Sequence, residues 1–239
     1  MINKEIFWVD YENDDKFLAA GLGDGSICIY NLLTGKLAHT ISYTNHETGD
    51  HARAMCVKWR KMAYTNESGI RKTQGMILAA FSDGVINEYI SPLGKLSSTI
   101  TEKNNQVFAL DIDPFEERFW SAGKDFRVRL YDLETKELIR KMISIDSREP
   151  GHNKRVFGLK YKKDDPNIVV SGGWDKTVQI HDIRKGGPVA YLFGPDLSSN
   201  AIDIHDDLIV TGSHRGKDPL QTWDLRKREL VQTIEYDYS

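Results

Sequence analysis

The sequence predicts an all-β protein assembled from five copies of one four-stranded antiparallel unit. Three observations predict it: a pattern that returns five times, short strands that alternate with a period of two, and the absence of any sustained helical period. In each copy an apolar first strand leads to a second strand and then to a turn containing Gly or Asp. A third strand ending on a ring side chain follows, then a further turn and a last strand.

The second and third strands carry the pattern best, at 17–31, 77–89, 119–132, 168–182, and 208–213 with 220–224. Their ring residues are Tyr30, Tyr89, Tyr131, His181 and Trp223, at steps of 59, 42, 50 and 42 residues. A four-stranded propeller blade takes about 40–45 residues, so two steps match directly and the longer two hold polar insertions. First strands are expected at 6–11, 54–59, 107–112, 156–161 and 199–204, and fourth strands at 36–41, 95–100, 137–143, 189–193 and 229–234. Gly35-Lys36-Leu37, Gly94-Lys95-Leu96 and Lys136-Glu137-Leu138 recur as the entry to the fourth strand. The predicted architecture is therefore a β-propeller, one domain over 1–239 with blades at about 5–41, 53–100, 106–143, 155–194 and 199–234. A twisted sheet cannot bury both faces alone, and stacking around an axis solves that.

Trp223-Asp224, with Tyr131-Asp132 and His181-Asp182 as variants, resembles the dipeptide for which the WD-repeat family is named. Gly151-His152 resembles the family's entry to a blade, and Asp125 and Asp175 resemble its turn aspartates. The resemblance covers about residues 5 to 234. It implies a buried hydrogen-bond network of His152, Ser171 and Asp175, with His181 standing where a Trp is usual, and Thr211 and Trp223 as its counterparts in the fifth copy. It also implies a ring of about seven blades. Five copies then mean either an incomplete propeller or a five-bladed ring closed by side-chain packing alone. The open form is expected, with the first and fifth blades covered by another chain, a second copy or further blades.

Composition narrows the function. A net charge of -3 argues against a dedicated nucleic-acid binder. No long apolar run predicts membrane insertion, and no signal peptide opens the chain. Cys28 and Cys56 lie in apolar strands and read as reduced core thiols, which points to a cytoplasmic and, by family analogy, cytoskeletal setting. Residues 1–52 carry three lysines against eight carboxylates, net -5, whereas residues 53–105 reach +4. Opposite signs on adjacent blades suit oriented partner binding.

No catalytic motif is present, and no cofactor, metal or catalytic residue is expected. Gly21-Leu22-Gly23-Asp24-Gly25 is followed by a strand rather than a helix, so it reads as a hairpin turn and not a dinucleotide loop. The His-rich loop from Asn45 to His51 and the basic turn Arg226-Lys227-Arg228 read as solvated loops, and the sequon Asn66-Glu67-Ser68, without a secretory signal, reads as a chance match. The expected function is a non-enzymatic protein-interaction scaffold in a multiprotein complex, against the alternative of an enzyme working in the propeller channel. In the family, loops between second and third strands share one face with loops between blades. On that face Trp174 and the insertion holding His214, Arg215 and Lys217 are the candidate partner contacts. The Arg60 to Gly75 insertion, polar and without a core pattern, is expected on the other face.

Overall fold

The computed structural model describes residues 4–12, 14–45, 49, 51–65, 71–91, 93–143 and 151–235, and the described residues contain no helix. Among the described residues twenty strands form five four-stranded antiparallel sheets, each in simple sequence order. The first sheet is β1 (Ile6–Tyr11), β2 (Phe17–Leu22), β3 (Ile27–Asn31) and β4 (Lys36–Ile41). The second is β5 (Ala54–Thr65), β6 (Arg71–Phe81), β7 (Val85–Ile90) and β8 (Lys95–Thr101). The third is β9 (Val107–Ile112), β10 (Arg118–Gly123), β11 (Val128–Asp132) and β12 (Leu138–Met142). The fourth is β13 (Val156–Tyr161), β14 (Ile168–Gly173), β15 (Thr177–Asp182) and β16 (Gly187–Phe193). The fifth is β17 (Ile202–His205), β18 (Leu208–Gly212), β19 (Leu220–Asp224) and β20 (Glu229–Ile234). By packing, the chain divides into two compact units, residues 1–110 and 111–239.

Turn chemistry shapes every sheet. In the first four, an aspartate (Asp24, Asp83, Asp125, Asp175) accepts the N–H two residues on, closing the turn between second and third strands. The residue after it takes a positive φ: Gly25 at 84°, Gly84 at 91°, Phe126 at 69° and Lys176 at 61°. A Cβ on Gly84 would lie 2.4 Å from the Glu102 carbonyl oxygen, so glycine there is a packing requirement as well as a turn requirement. The turn into the fourth strand repeats as well, with Gly35, Gly94, Lys136, Gly186 and Arg228 all left-handed. Three of those five lie in the recurrent entry segments the sequence shows.

One irregularity recurs without exception. In each sheet the pairing of third to fourth strand shifts register at the ring residue: Ile29/Tyr30, Glu88/Tyr89, Leu130/Tyr131, Ile180/His181 and Thr222/Trp223. A bulge there increases local twist.

The Arg60 to Gly75 insertion, polar and without a core pattern in the sequence, is largely strand. It continues β5 and β6 as a paired ladder, from Arg60↔Met76 to Thr65↔Arg71. Segments leaving the core must still satisfy their backbone groups, and a hairpin does so where a polar loop relies on water. At its base Arg60 and Glu88 form a buried ion pair at 2.7 Å.

Within each unit the sheets pack face to face. Ala19, Ile27, Ile29 and Ile41 of the first sheet meet Val57, Trp59, Ile77, Ala79 and Tyr89 of the second. Val170, Val178, Ile180 and Leu192 of the fourth meet Ile202, Ile204, Ile209 and Trp223 of the fifth. A polar clamp accompanies the packing. The Asp10 carboxylate accepts the Trp59 N–H at 2.9 Å, and Asp111 accepts the Tyr161 N–H at 2.9 Å. Asp10 and Asp111 are each the fifth residue of a first strand, so the same position ties one sheet to the next in both units.

Candidate functional site

The fourth sheet brings the family-implied residues together. His152 precedes β13, Ser171 sits in β14, Asp175 follows it in the turn, and His181 lies in β15. His152 Nδ1 is 2.7 Å from the Asp175 carboxylate, and its Nε2 is 2.8 Å from Ser171 Oγ. Ser171 Oγ is in turn 2.7 Å from His181 Nε2. One proton arrangement satisfies all three contacts. His181 Nε2–H donates to Ser171, Ser171 O–H donates to His152 Nε2, and His152 Nδ1–H donates to Asp175. His181 Nδ1 is then a bare lone pair, in keeping with its having no hydrogen-bond partner.

Burial alone would raise the Asp175 pKa, but hydrogen bonds from His152 and Thr177 outweigh it and hold the carboxyl below its usual range. The His181 imidazole is pushed down to about 3, mainly by burial and secondarily by its neighbour His152. Both effects favour one fixed protonation pattern near neutral pH.

Asp, His and Ser in this order have the connectivity of a hydrolase triad. Accessibility separates the two cases: Ser171 has no exposed surface and is held between two imidazoles, which leaves no approach for a substrate carbonyl. The arrangement pins the entering segment to the turn, and the first and second sheets do the same with different chemistry. Asp83 accepts from Tyr43 O–H at 2.9 Å and Asn45 Nδ2 at 2.8 Å, and Asp24 meets Lys4. Asp125 meets Arg129, which no sequence pattern marked. In the fifth sheet Trp223 Nε1–H donates to Thr211 Oγ1 at 2.9 Å, the bond that His181 reproduces in the fourth.

Trp174 is 39% exposed, high for so large a ring. Its ring centre is 5.0 Å from that of Phe157, and the Arg155 guanidinium lies 5.2 Å from the indole centre. Its N–H donates to the Arg155 carbonyl at 3.1 Å. His214 and Lys217 are exposed and Arg215 half-buried, its Nη2 bonded to Gln221 Oε1 at 3.0 Å. Residues 194–201 link the two loops: Leu197 N–H donates to the Gly173 carbonyl at 3.3 Å, and His214 N–H to the Asp196 carbonyl at 2.7 Å. The connecting segment therefore bonds both the turn that holds Trp174 and the loop that holds His214, Arg215 and Lys217. Arg155 and Phe157 went unmarked in the sequence, although an arginine directly before a first strand and beside a turn tryptophan is a usable signal.

Gly173 is the hinge of this arrangement. A Cβ there would lie 2.0 Å from the Arg155 carbonyl oxygen. Gly173→Ala is expected to destabilise the chain by about 2 kcal/mol and to raise the solvent exposure of Trp174, read by urea unfolding and acrylamide quenching. Unchanged quenching would mean that the Arg155–Trp174 pairing does not depend on this glycine.

The Asn45 to His51 loop, with residues 46–48 and 50, and the sequon at Asn66 lie partly or wholly outside the described residues. Among the described residues no group of three or more His, Cys, Asp or Glu could hold a metal, and no helix is long and apolar enough to cross a membrane.

Comparison with known proteins fits this geometry. The family model described as "Anaphase-promoting complex subunit 4 WD40 domain" matches residues 2–62, and the one described as "WD domain, G-beta repeat" matches residues 145–182. Human F-box/WD repeat-containing protein 8 is 33% identical over 69 residues, which are 29% of this chain and 11% of that protein. Periodic tryptophan protein 2 of Arabidopsis thaliana is 23% identical over 236 residues, 97% of this chain and 23% of that protein. The chain thus spans less than a quarter of the length of these two relatives. A chain in a crystal structure of the mitotic checkpoint complex superposes with a TM-score of 0.76 at 18% identity, covering 98% of this chain and 65% of that one. In its five four-stranded sheets, its His–Ser–Asp network and its two family-model matches, the chain is similar to WD-repeat proteins.

Proposed function

We propose that the chain is a non-enzymatic scaffold that binds other proteins within a multiprotein complex, through the loops around Trp174. The observation that carries this reading is the exposed Trp174, held by Phe157 and Arg155 on a rigid sheet edge beside His214, Arg215 and Lys217. Aromatic and arginine side chains dominate interface energetics, and a preorganised pair loses little entropy on binding. The sealed Ser171 supports the non-enzymatic half. A family model named for an anaphase-promoting complex subunit, a relative named for F-box/WD repeats and a structural neighbour from the mitotic checkpoint complex support membership of an assembly. In this reading the exposed apolar side chains of β1 (Ile6, Val9, Tyr11) and of the fifth sheet (Leu208, Leu230, Val231) are covered by protein, and the setting is cytoplasmic or cytoskeletal.

The test is affinity capture from the native cell with the tagged chain and two variants, read by quantitative mass spectrometry. Trp174→Ala and Arg215→Ala are each expected to reduce specific partners at least tenfold. Partners retained by both variants would place binding on another face, and turnover by the purified chain in a hydrolase panel would sink the non-enzymatic reading.

A further inference from the structure

The loops around Trp174 carry an excess of positive charge that the chain as a whole does not. Segments 151–155, 173–177 and 213–218 carry Lys154, Arg155, Lys176, Arg215 and Lys217, in a chain whose net charge is -3. Their carboxylates are Asp175, which is committed to His152 and Thr177, and Asp218; Asp196 stands in the linking segment. Lys154, Lys176 and Lys217 are exposed, and among the described residues no carboxylate pairs with any of them or with Arg155. Arg215 bonds only neutral acceptors, Ser213 Oγ at 3.1 Å and Gln221 Oε1, so its charge too is uncompensated.

We infer that this surface takes an acidic protein segment with an aromatic or large apolar anchor, a reading that rests on the Trp174 face being the partner site. Arg155 is fixed at its backbone by Trp174 and its guanidinium lies over the indole, where its N–H groups are available to a carboxylate in bidentate fashion. The open part of the indole offers apolar area beside it. Lys154 and Lys176 lie on the two segments joined by that same Arg155–Trp174 pairing, and His214, Arg215 and Lys217 continue the positive surface beyond the 194–201 segment. Asp196 and Asp218 interrupt this surface. A peptide with separate carboxylates can avoid them, whereas a continuous phosphate backbone would be repelled at each.

The test uses the full chain and fluorescence anisotropy with three labelled probes. One is an acidic hexapeptide, Glu-Asp-Glu-Phe-Asp-Glu; the second is its amide counterpart, Gln-Asn-Gln-Phe-Asn-Gln; the third is a single-stranded oligonucleotide. The acidic peptide is expected to saturate, to weaken as salt rises, and to bind at least tenfold more weakly to Lys176→Glu and to Trp174→Ala. Lys176 is exposed on a turn, so its variant is expected to fold, checked by an unchanged urea midpoint. No saturation up to millimolar protein, equal binding of the amide peptide, or indifference to Lys176→Glu would overturn the inference. Tighter binding of the oligonucleotide with the same variant sensitivity would replace it with a nucleic-acid surface. Capture experiments separate the two layers. If Trp174→Ala keeps every partner, the face is wrong. If it loses partners that the acidic peptide does not displace from the wild-type chain, the face stands and the acidic class fails.

Discussion

Asp175→Ala is expected to lower the stability of the chain by roughly 3 to 4 kcal/mol, read as a shift in the urea midpoint at pH 7.5. Its carboxylate accepts from His152 Nδ1, from the Asn153 N–H and from both the N–H and O–H of Thr177. The His152 and Asp175 side chains are 1% and 3% exposed, so the abandoned His152 donor cannot turn to water. Ser171→Ala removes a neutral hydroxyl from the same chain of bonds and is expected to cost less, about 1 to 2 kcal/mol. The two substitutions share partners, so the double variant is expected to lose less than their sum. Full additivity would show that the four side chains are independent contacts and not one network. A shift below about 1 kcal/mol for Asp175→Ala would remove the network from any account of stability.

Acid is expected to destabilise the chain well above the range where its carboxylates titrate. His181 has an ordinary pKa of 6.5 when unfolded and is held at about 3 by burial in the fold. Between those values the unfolded chain binds a proton that the folded chain refuses. Stability therefore rises with pH across the window, by up to about 1.4 kcal/mol per pH unit, and is lost progressively as pH falls from 6.5 toward 3. Asp175 adds a second, lower limb. Its folded pKa is depressed, so its contribution is complete above the ordinary carboxylate value and disappears as pH falls through the lower folded value. In a series of urea midpoints from pH 7.5 to 4, His181→Phe is expected to flatten the upper limb, after an initial cost of about 1 kcal/mol for the bond to Ser171. An unchanged slope in that variant would assign the acid sensitivity to other groups.

The same residues show what could be read in advance. Repeat positions were legible because the sheets reuse the same local chemistry: alternating apolar strands, in the first four an aspartate that closes one turn, and in all five a left-handed residue that closes the next. His152, Ser171 and Asp175 were legible through their place in the repeat, and Trp174 through its place beside a turn. The pairing within the Arg60 to Gly75 segment was not legible, because polar composition does not reveal whether a backbone is paired.

The sequence by itself determined the architecture of the five sheets, since strand periodicity and turn geometry act over a few residues. Tertiary structure alone decided which partners those residues meet. Whether His181 can replace a tryptophan depends on one Nε2–H reaching Ser171 Oγ, a distance set by the pairing of β14 with β15. Asp10 and Asp111 bond backbone N–H groups of the neighbouring sheet, which every residue but proline possesses, so nothing in the side-chain pattern points to Trp59 or Tyr161. Arg155 acquires its role from a turn about twenty residues later, where Gly173 lets the carbonyl of one strand approach the N–H of Trp174. Contacts of this kind depend on distances between elements, and distance is the quantity that a linear sequence does not record.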